Sequence, residues 1–202
     1  MLVCCLVICQ IPAVSASAKS SSTPLQKNGQ LRVKGTKLVN SKGETVILKG
    51  VSTHGITWFP QYVNKSAFQS LRDDWGVNCV RLAMYTEEYN GYCSGGSQSE
   101  LKKLINNGVK YATELGMYVI IDWHILSDGN PQQNQKEALK FFKKMAKKYK
   151  NNTNVIYEIC NEPNGGTSWS TIKKYAEKII KGIRTYDKKA VILVGTPNWS
   201  QD

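Results

Sequence analysis

Val155-Ile156-Tyr157-Glu158-Ile159-Cys160-Asn161-Glu162-Pro163-Asn164 is an apolar run rich in β-branched and aromatic residues that passes directly into an amide, a carboxylate and a proline. Such a composition predicts a buried strand, and a proline cannot continue the hydrogen-bond ladder, so the strand ends at Cys160 and Glu162 stands where strand becomes loop.

Working outward, the same grammar recurs on both sides. Ala67, Phe68, Leu71 and Trp75 make a helical stripe closed by Gly76, and Val77 to Met84 reads as a strand. Leu101, Leu104, Ile105, Val109, Ala112 and Leu115 make a second stripe closed by Gly116, followed by a strand from Met117 to Trp123. Gly76 and Gly116 sit just past a helix, where a left-handed residue satisfies the last carbonyls. A third helix, carrying Ala138, Phe141, Phe142, Met145 and Tyr149, precedes the quoted strand. A fourth, with Ile172, Tyr175, Ala176, Ile179, Ile180 and Ile183, precedes Ala190 to Gly195. Strand and helix alternating every 30 to 40 residues or so predict an α/β fold with a parallel sheet. Before the first helix, Leu31 to Leu48 alternates around Asn40-Ser41-Lys42-Gly43, which predicts a β-hairpin leading into a first core strand from Thr45 to Ser52.

A doubly wound sheet and a (β/α)8 TIM barrel both fit this order. No glycine-rich phosphate loop follows the first strand, so the barrel is preferred. A complete barrel takes about 250 residues, whereas five strands are visible here, which predicts about the first five βα units of a longer protein.

Composition narrows the class. Of 202 residues, 41% are hydrophobic and 21% charged, ordinary values for a soluble globular domain. Residues 1–18 contain no charge, run apolar from Leu2 to Ile11 and end in Ala16-Ser17-Ala18, as in a signal peptide, although no basic residue precedes Lys19, which leaves a start upstream and a misassigned start codon as the two readings. The run is too short to span a bilayer, so secretion without stable membrane association is expected. Residues 19–28 read as a polar linker and residues 29–202 as the partial barrel domain. Cys79, Cys93 and Cys160 are an odd set without CxxC spacing, which argues against a zinc site or a disulfide framework and predicts buried thiols at Cys79 and Cys160. The net charge of +12 could suggest nucleic acid. However, Lys136, Lys140, Lys143, Lys144, Lys147 and Lys148 fall on the solvent side of one helix, so no nucleic-acid partner is expected.

Polar and aromatic residues gather at the C-terminal ends of all five strands. The first is followed by His54 and Trp58, the second carries Arg81 and reaches Tyr85, and the third ends Asp122-Trp123-His124. The fourth ends Asn161-Glu162 and the fifth Thr196-Pro197-Asn198-Trp199. Each alone is compatible with packing, but together they predict a site on the face where (β/α)8 enzymes place theirs. Trp faces stack on pyranose rings, and Asn, His and Tyr bind hydroxyls, so a neutral polysaccharide suits the lining. Glycosidic cleavage needs an acid for the leaving oxygen, which Glu162 can supply, and a second carboxylate across the sugar.

His54 with Trp58, Arg81-Leu82-Ala83-Met84-Tyr85, Ile121-Asp122-Trp123-His124 and Ile156 to Pro163 resemble glycoside hydrolase family 5, and within it the bacterial secreted endo-β-1,4-glucanases (cellulases), from about Gly29 to Asp202. The resemblance implies a retaining enzyme on a TIM barrel, with no metal or organic cofactor. It implies Glu162 as acid/base, Asn161 on the sugar 2-hydroxyl and Arg81 orienting the nucleophile. It places His124 and His54 along the cleft, with Tyr85, Trp58 and Trp199 as sugar platforms. The family's nucleophile is a second glutamate on strand seven, beyond Asp202. Glu87 and Glu88 fall in a loop and Glu158 lies deeper in its strand, so none of them fits that role, and the 202-residue chain alone is expected to be inactive. An open barrel is also expected to be unstable. The expected partner is a β-glucan and the expected state a monomer. Mannanase, xyloglucanase and mixed-linkage glucanase activities are the close alternatives, and a noncatalytic sugar-binding remnant is the distant one.

Overall fold

The computed structural model describes residues 22–202; the signal-peptide reading of residues 1–18 lies outside them. The expected linker is, in its described part, a short helix α1 (Pro24–Asn28) rather than loose chain. Thr23 and Gln26 cap each other, with Gln26 Oε1 accepting from Thr23 N at 2.9 Å and Thr23 Oγ1 accepting from Gln26 N at 3.3 Å. Leu25 N donates to Gly116 O at 2.8 Å, which docks the turn on the domain.

The hairpin exists but turns earlier than the alternation implied. Strands β1 (Arg32–Lys34) and β2 (Lys37–Val39) pair antiparallel through Gly35 and Thr36, and Gly35 has φ +59°. The Asn40–Gly43 turn instead returns the chain to a single bridge between Val39 and Thr45, held by Asn40 Oδ1 accepting from Lys42 N and Glu44 N.

Five parallel strands follow in sequential order: β3 (Gly50–Ser52), β4 (Cys79–Tyr85), β5 (Tyr118–His124), β6 (Val155–Glu158) and β7 (Ile192–Leu193). Between them run α2 (Lys65–Trp75), α3 (Gln98–Glu114), α4 (Gln135–Tyr149) and α5 (Trp169–Arg184), and the short α6 (Pro197–Ser200) closes the chain. Strands β4 and β5 are seven residues each, whereas the outer strands β3 and β7, each with one neighbour to hold its ladder, are shorter than their sequences implied. The fourth strand ends at Glu158 rather than Cys160.

Side-chain alternation splits the sheet into two faces. Val80, Leu82 and Met84 of β4, Val119, Ile121 and Trp123 of β5, and Val155 and Tyr157 of β6 pack under the helices in the main core. Burying each large side chain there stabilises the fold by about 1.5–3 kcal/mol. Most of the expected helix stripes enter this core; Ala67 is only partly buried and Trp75, the last residue of α2 before Gly76 at φ +66°, is 77% exposed. On the opposite face Cys79, Tyr118, Ile156 and Val191 form a separate apolar layer, closed below by Leu31 and by Leu38 and Val46 of the hairpin region. One step further along the same strands that face becomes polar.

Candidate active site

Parity decides which side chains meet. Ser52 pairs with Arg81, Ala83 with Asp122, Asp122 with Glu158, and Tyr85 with His124. Two residues past the apolar layer formed by Cys79, Tyr118 and Ile156, the same faces of β4, β5 and β6 present Arg81, Ile120 and Glu158, and the next step on β5 brings Asp122 and then His124. The guanidinium of Arg81 occupies the centre. Its Nε and Nη2 donate to Glu158 Oε2 and Oε1 at 2.7 and 2.8 Å, and Nη2 also donates to Asn161 Oδ1 at 2.7 Å. Asp122 Oδ2 lies 2.9 Å from Nη2, and Ser52 Oγ accepts from Nη1 at 3.2 Å.

Burial alone would lower the Arg81 pKa, but hydrogen bonding to Glu158 and the charges of Asp122, Glu158 and Glu162 outweigh it, and the net shift is upward. Glu158 is raised above the usual carboxylate range, first by burial and then by the neighbouring Asp122 charge, which together exceed the pull of Arg81. One cation thus stands among three carboxyl groups, those of Asp122, Glu158 and Glu162.

Asn161 follows β6 and is held from three sides, with its Nδ2 donating to Ile125 O at 3.1 Å and lying 3.2 Å from His124 Nε2. Glu162, the next residue, is half-buried. It borders an open cleft of about 410 Å³ together with Glu158, Asn161, Leu193, Val194, Thr196, Ser200 and Asp202. Gly195 lies against the backbone carbonyls of Cys160 and Asn161, and Gly195 N donates to Cys160 O at 3.0 Å.

A ring cluster adjoins this network. His54 stacks on Trp58 with centroids 5.3 Å apart, Trp58 meets Tyr85 edge-on at 5.0 Å, and Tyr85 lies 4.6 Å from His124. Trp58 Nε1 donates to Tyr89 O at 2.7 Å, which fixes the indole with one face toward His54 and 39% of its surface exposed.

The structure therefore brings together Arg81, His124, Asn161 and Glu162, and beside them His54, Trp58 and Tyr85. Trp199 is separate. Its N–H donates to Pro163 O at 3.1 Å, but its side chain does not line the cleft at Glu162 and is 50% exposed. Glu87 and Glu88 are engaged in loop contacts: Glu87 Oε1 accepts from Asn134 Nδ2 at 2.7 Å, and Glu88 Oε1 from Ser127 N at 3.0 Å. Asp122 and Glu158 are the members that sequence reasoning left out of the site. Their parity with His124 and with Ile156 was the available signal. No cluster of three or more His, Cys, Asp or Glu side chains suited to a metal ion occurs among the described residues.

Residues 39–202 match the model of the cellulase family, glycosyl hydrolase family 5. The chain belongs to glycosyl hydrolase family 5. It is 52% identical over 180 residues to endoglucanase A of Butyrivibrio fibrisolvens, covering 88% of this chain and 42% of that protein. It is 50% identical over 185 residues to an endoglucanase of Clostridium saccharobutylicum, covering 91% of this chain and 41% of that one. The catalytic domain of Thermobifida fusca endoglucanase Cel5A (E5), solved with cellotetraose, superimposes with a TM-score of 0.84 at 42% identity, covering 89% of this chain and 57% of that structure. The chain thus spans about two-fifths of the length of these curated relatives. Its five parallel strands are an arc of the family 5 barrel, and the polar layer described above lies at the C-terminal ends of that arc.

Proposed function

We propose that this chain carries the acid/base half of an endo-acting, retaining β-1,4-glucanase. In this reading the Glu162 carboxyl protonates the departing glycosidic oxygen while a carboxylate nucleophile takes the anomeric carbon. The Glu162 carboxylate then removes a proton from the water that hydrolyses the glycosyl ester. Asn161 meets the sugar 2-hydroxyl, Arg81 supports the nucleophile electrostatically, and His124, His54, Tyr85 and Trp58 line the sugar path. Trp199 joins them only if its side chain turns toward the cleft.

The observation that carries the reading is the placement of Glu162. It is a half-buried carboxyl bordering an open cleft, directly after an asparagine whose amide is held by Arg81 and Ile125. The retaining mechanism requires a second carboxylate about 5–5.5 Å from the first. Glu158 is bound at both oxygens by Arg81, and Glu87 and Glu88 are held in loops. The proposed nucleophile therefore belongs to a longer protein that contains this chain. Consistent with the relatives, the substrate is a cellulose-type β-glucan, and the leader-like residues 1–18 support export of the enzyme; a monomer is part of the same proposal. No helix among the described residues is long and apolar enough to cross a membrane.

In the longer protein, Glu162→Gln should lower the release of reducing ends from a soluble cellulose derivative by roughly 10²–10⁴-fold. Activity close to wild type would place the acid elsewhere. The 202-residue chain alone should release none.

A further inference from the structure

Asp122 is a carboxylate that the proposed reaction does not itself use, yet its side chain is wholly buried. Oδ2 receives Arg81 Nη2 at 2.9 Å and His124 Nδ1 at 2.5 Å, while Oδ1 has no partner among the described residues. A buried carboxylate with one oxygen unpartnered is costly, so packing does not account for it.

Its neighbours make the consequence definite. A neutral imidazole has one donor and one acceptor nitrogen. At His124 Nδ1 two groups make opposite demands: Asp122 Oδ2 can only accept, and Arg81 Nη1, at 3.4 Å, can only donate. The shorter, charge-assisted contact wins, so Nδ1 carries the proton. Nε2 is then an acceptor for Asn161 Nδ2 at 3.2 Å. The amide's second N–H goes to Ile125 O at 3.1 Å, and its oxygen accepts from Arg81 at 2.7 Å. All three amide contacts agree on one orientation.

We infer that Asp122 is a positioning residue: it sets the His124 tautomer and, through Nε2, the orientation of the Asn161 amide beside Glu162. The inference rests on the proposed roles of Asn161 and Glu162. Without the carboxylate, only the Arg81 donor would face Nδ1, and the imidazole proton would move to Nε2. That proton would oppose the Asn161 amide N–H, so the amide would turn over and set its NH₂ group against the guanidinium. Loss of one buried side chain would then undo three hydrogen bonds at the site.

The test is the tautomer. The chain has two histidines, so a ¹⁵N-histidine spectrum of the full chain is readable, with His124 assigned from the His54→Gln variant. In the neutral form, wild-type His124 should carry its proton on Nδ1, and Asp122→Ala should move it to Nε2. A wild-type Nε2–H tautomer, or an Asp122→Ala spectrum unchanged from wild type, overturns the inference. Asp122→Asn keeps an oxygen for both donors and should retain Nδ1–H. If the alanine variant does not fold, the wild-type and Asn spectra still decide. In the longer protein, Asp122→Ala should lower kcat roughly 100-fold with KM little changed, as a misplaced group does, and Asp122→Asn should recover part of it. An unchanged kcat also overturns the inference. If the wild-type protein cleaves no glucan, the functional reading fails while the spectrum still decides the tautomer.

Discussion

Arg81 and Glu158 meet across β5 in a two-point ion pair, with Nε and Nη2 donating to the two carboxylate oxygens at 2.7 and 2.8 Å. Both side chains are mostly buried, 20% and 14% exposed, so neither is left to water if the other is removed. Arg81→Leu should therefore destabilise the chain by about 3 kcal/mol, the penalty for an uncompensated buried charge. Urea unfolding would read this as a lowered midpoint at constant slope. The double variant with Glu158→Gln should lose less than the two single variants summed.

The same carboxylate gives a pH dependence with a definite sign. Glu158 is raised above its ordinary value of 4.5 in the folded chain, so the folded state holds its proton more tightly than the unfolded state. This contribution to stability is present below pH 4.5 and is lost as pH rises through the raised value. Subtracting the pH profile of Glu158→Gln from wild type should leave a stability difference that falls with rising pH across that window. A difference that rises would mean that Arg81 dominates burial and Asp122.

Gly195 admits the carbonyls of Cys160 and Asn161 against its backbone, where an added Cβ would collide with both. Gly195→Ala should cost about 1–3 kcal/mol by overpacking and should also displace the segment carrying Asn161 and Glu162. Gly182→Ala, which meets only movable side-chain ends of Leu139 and Lys143, is the control. In the longer protein the first variant should lose kcat and the second should keep it.

Burial pushes the thiols of Cys79, Cys93 and Cys160 up to about 12. At pH 8 they are protonated and therefore weak nucleophiles. In the folded chain these three cysteines should react with a disulfide reagent far more slowly than in guanidinium. Fast native labelling, located by peptide mapping at Cys79 or Cys160, would show that the open sheet breathes.

The parallel sheet was legible because its signals are local. Gly76 and Gly116 close helices whose stripes lie three and four residues apart, and both have the left-handed backbone expected of them. Local pattern fails where a neighbour outweighs it. The Asn40–Gly43 turn carries turn residues, but the hairpin reverses at Gly35. Trp75 continues the stripe of α2 in sequence but is 77% exposed.

At the candidate site the division is similar. Strand-end position and residue type, both local properties, marked Arg81, His124, Asn161 and Glu162, together with the His54, Trp58 and Tyr85 rings. Which groups share a proton or a charge is not local, because it depends on strands 40 to 80 residues apart arriving in one register. The five-strand arc, and Glu162 just past its fourth strand, follow from sequence alone, since periodicity and strand-ending residues act over a few neighbours. Only the tertiary structure decided that Arg81 is bound by Glu158 and Asp122, because hydrogen bonds of 2.7 to 2.9 Å form only when three strands are already paired.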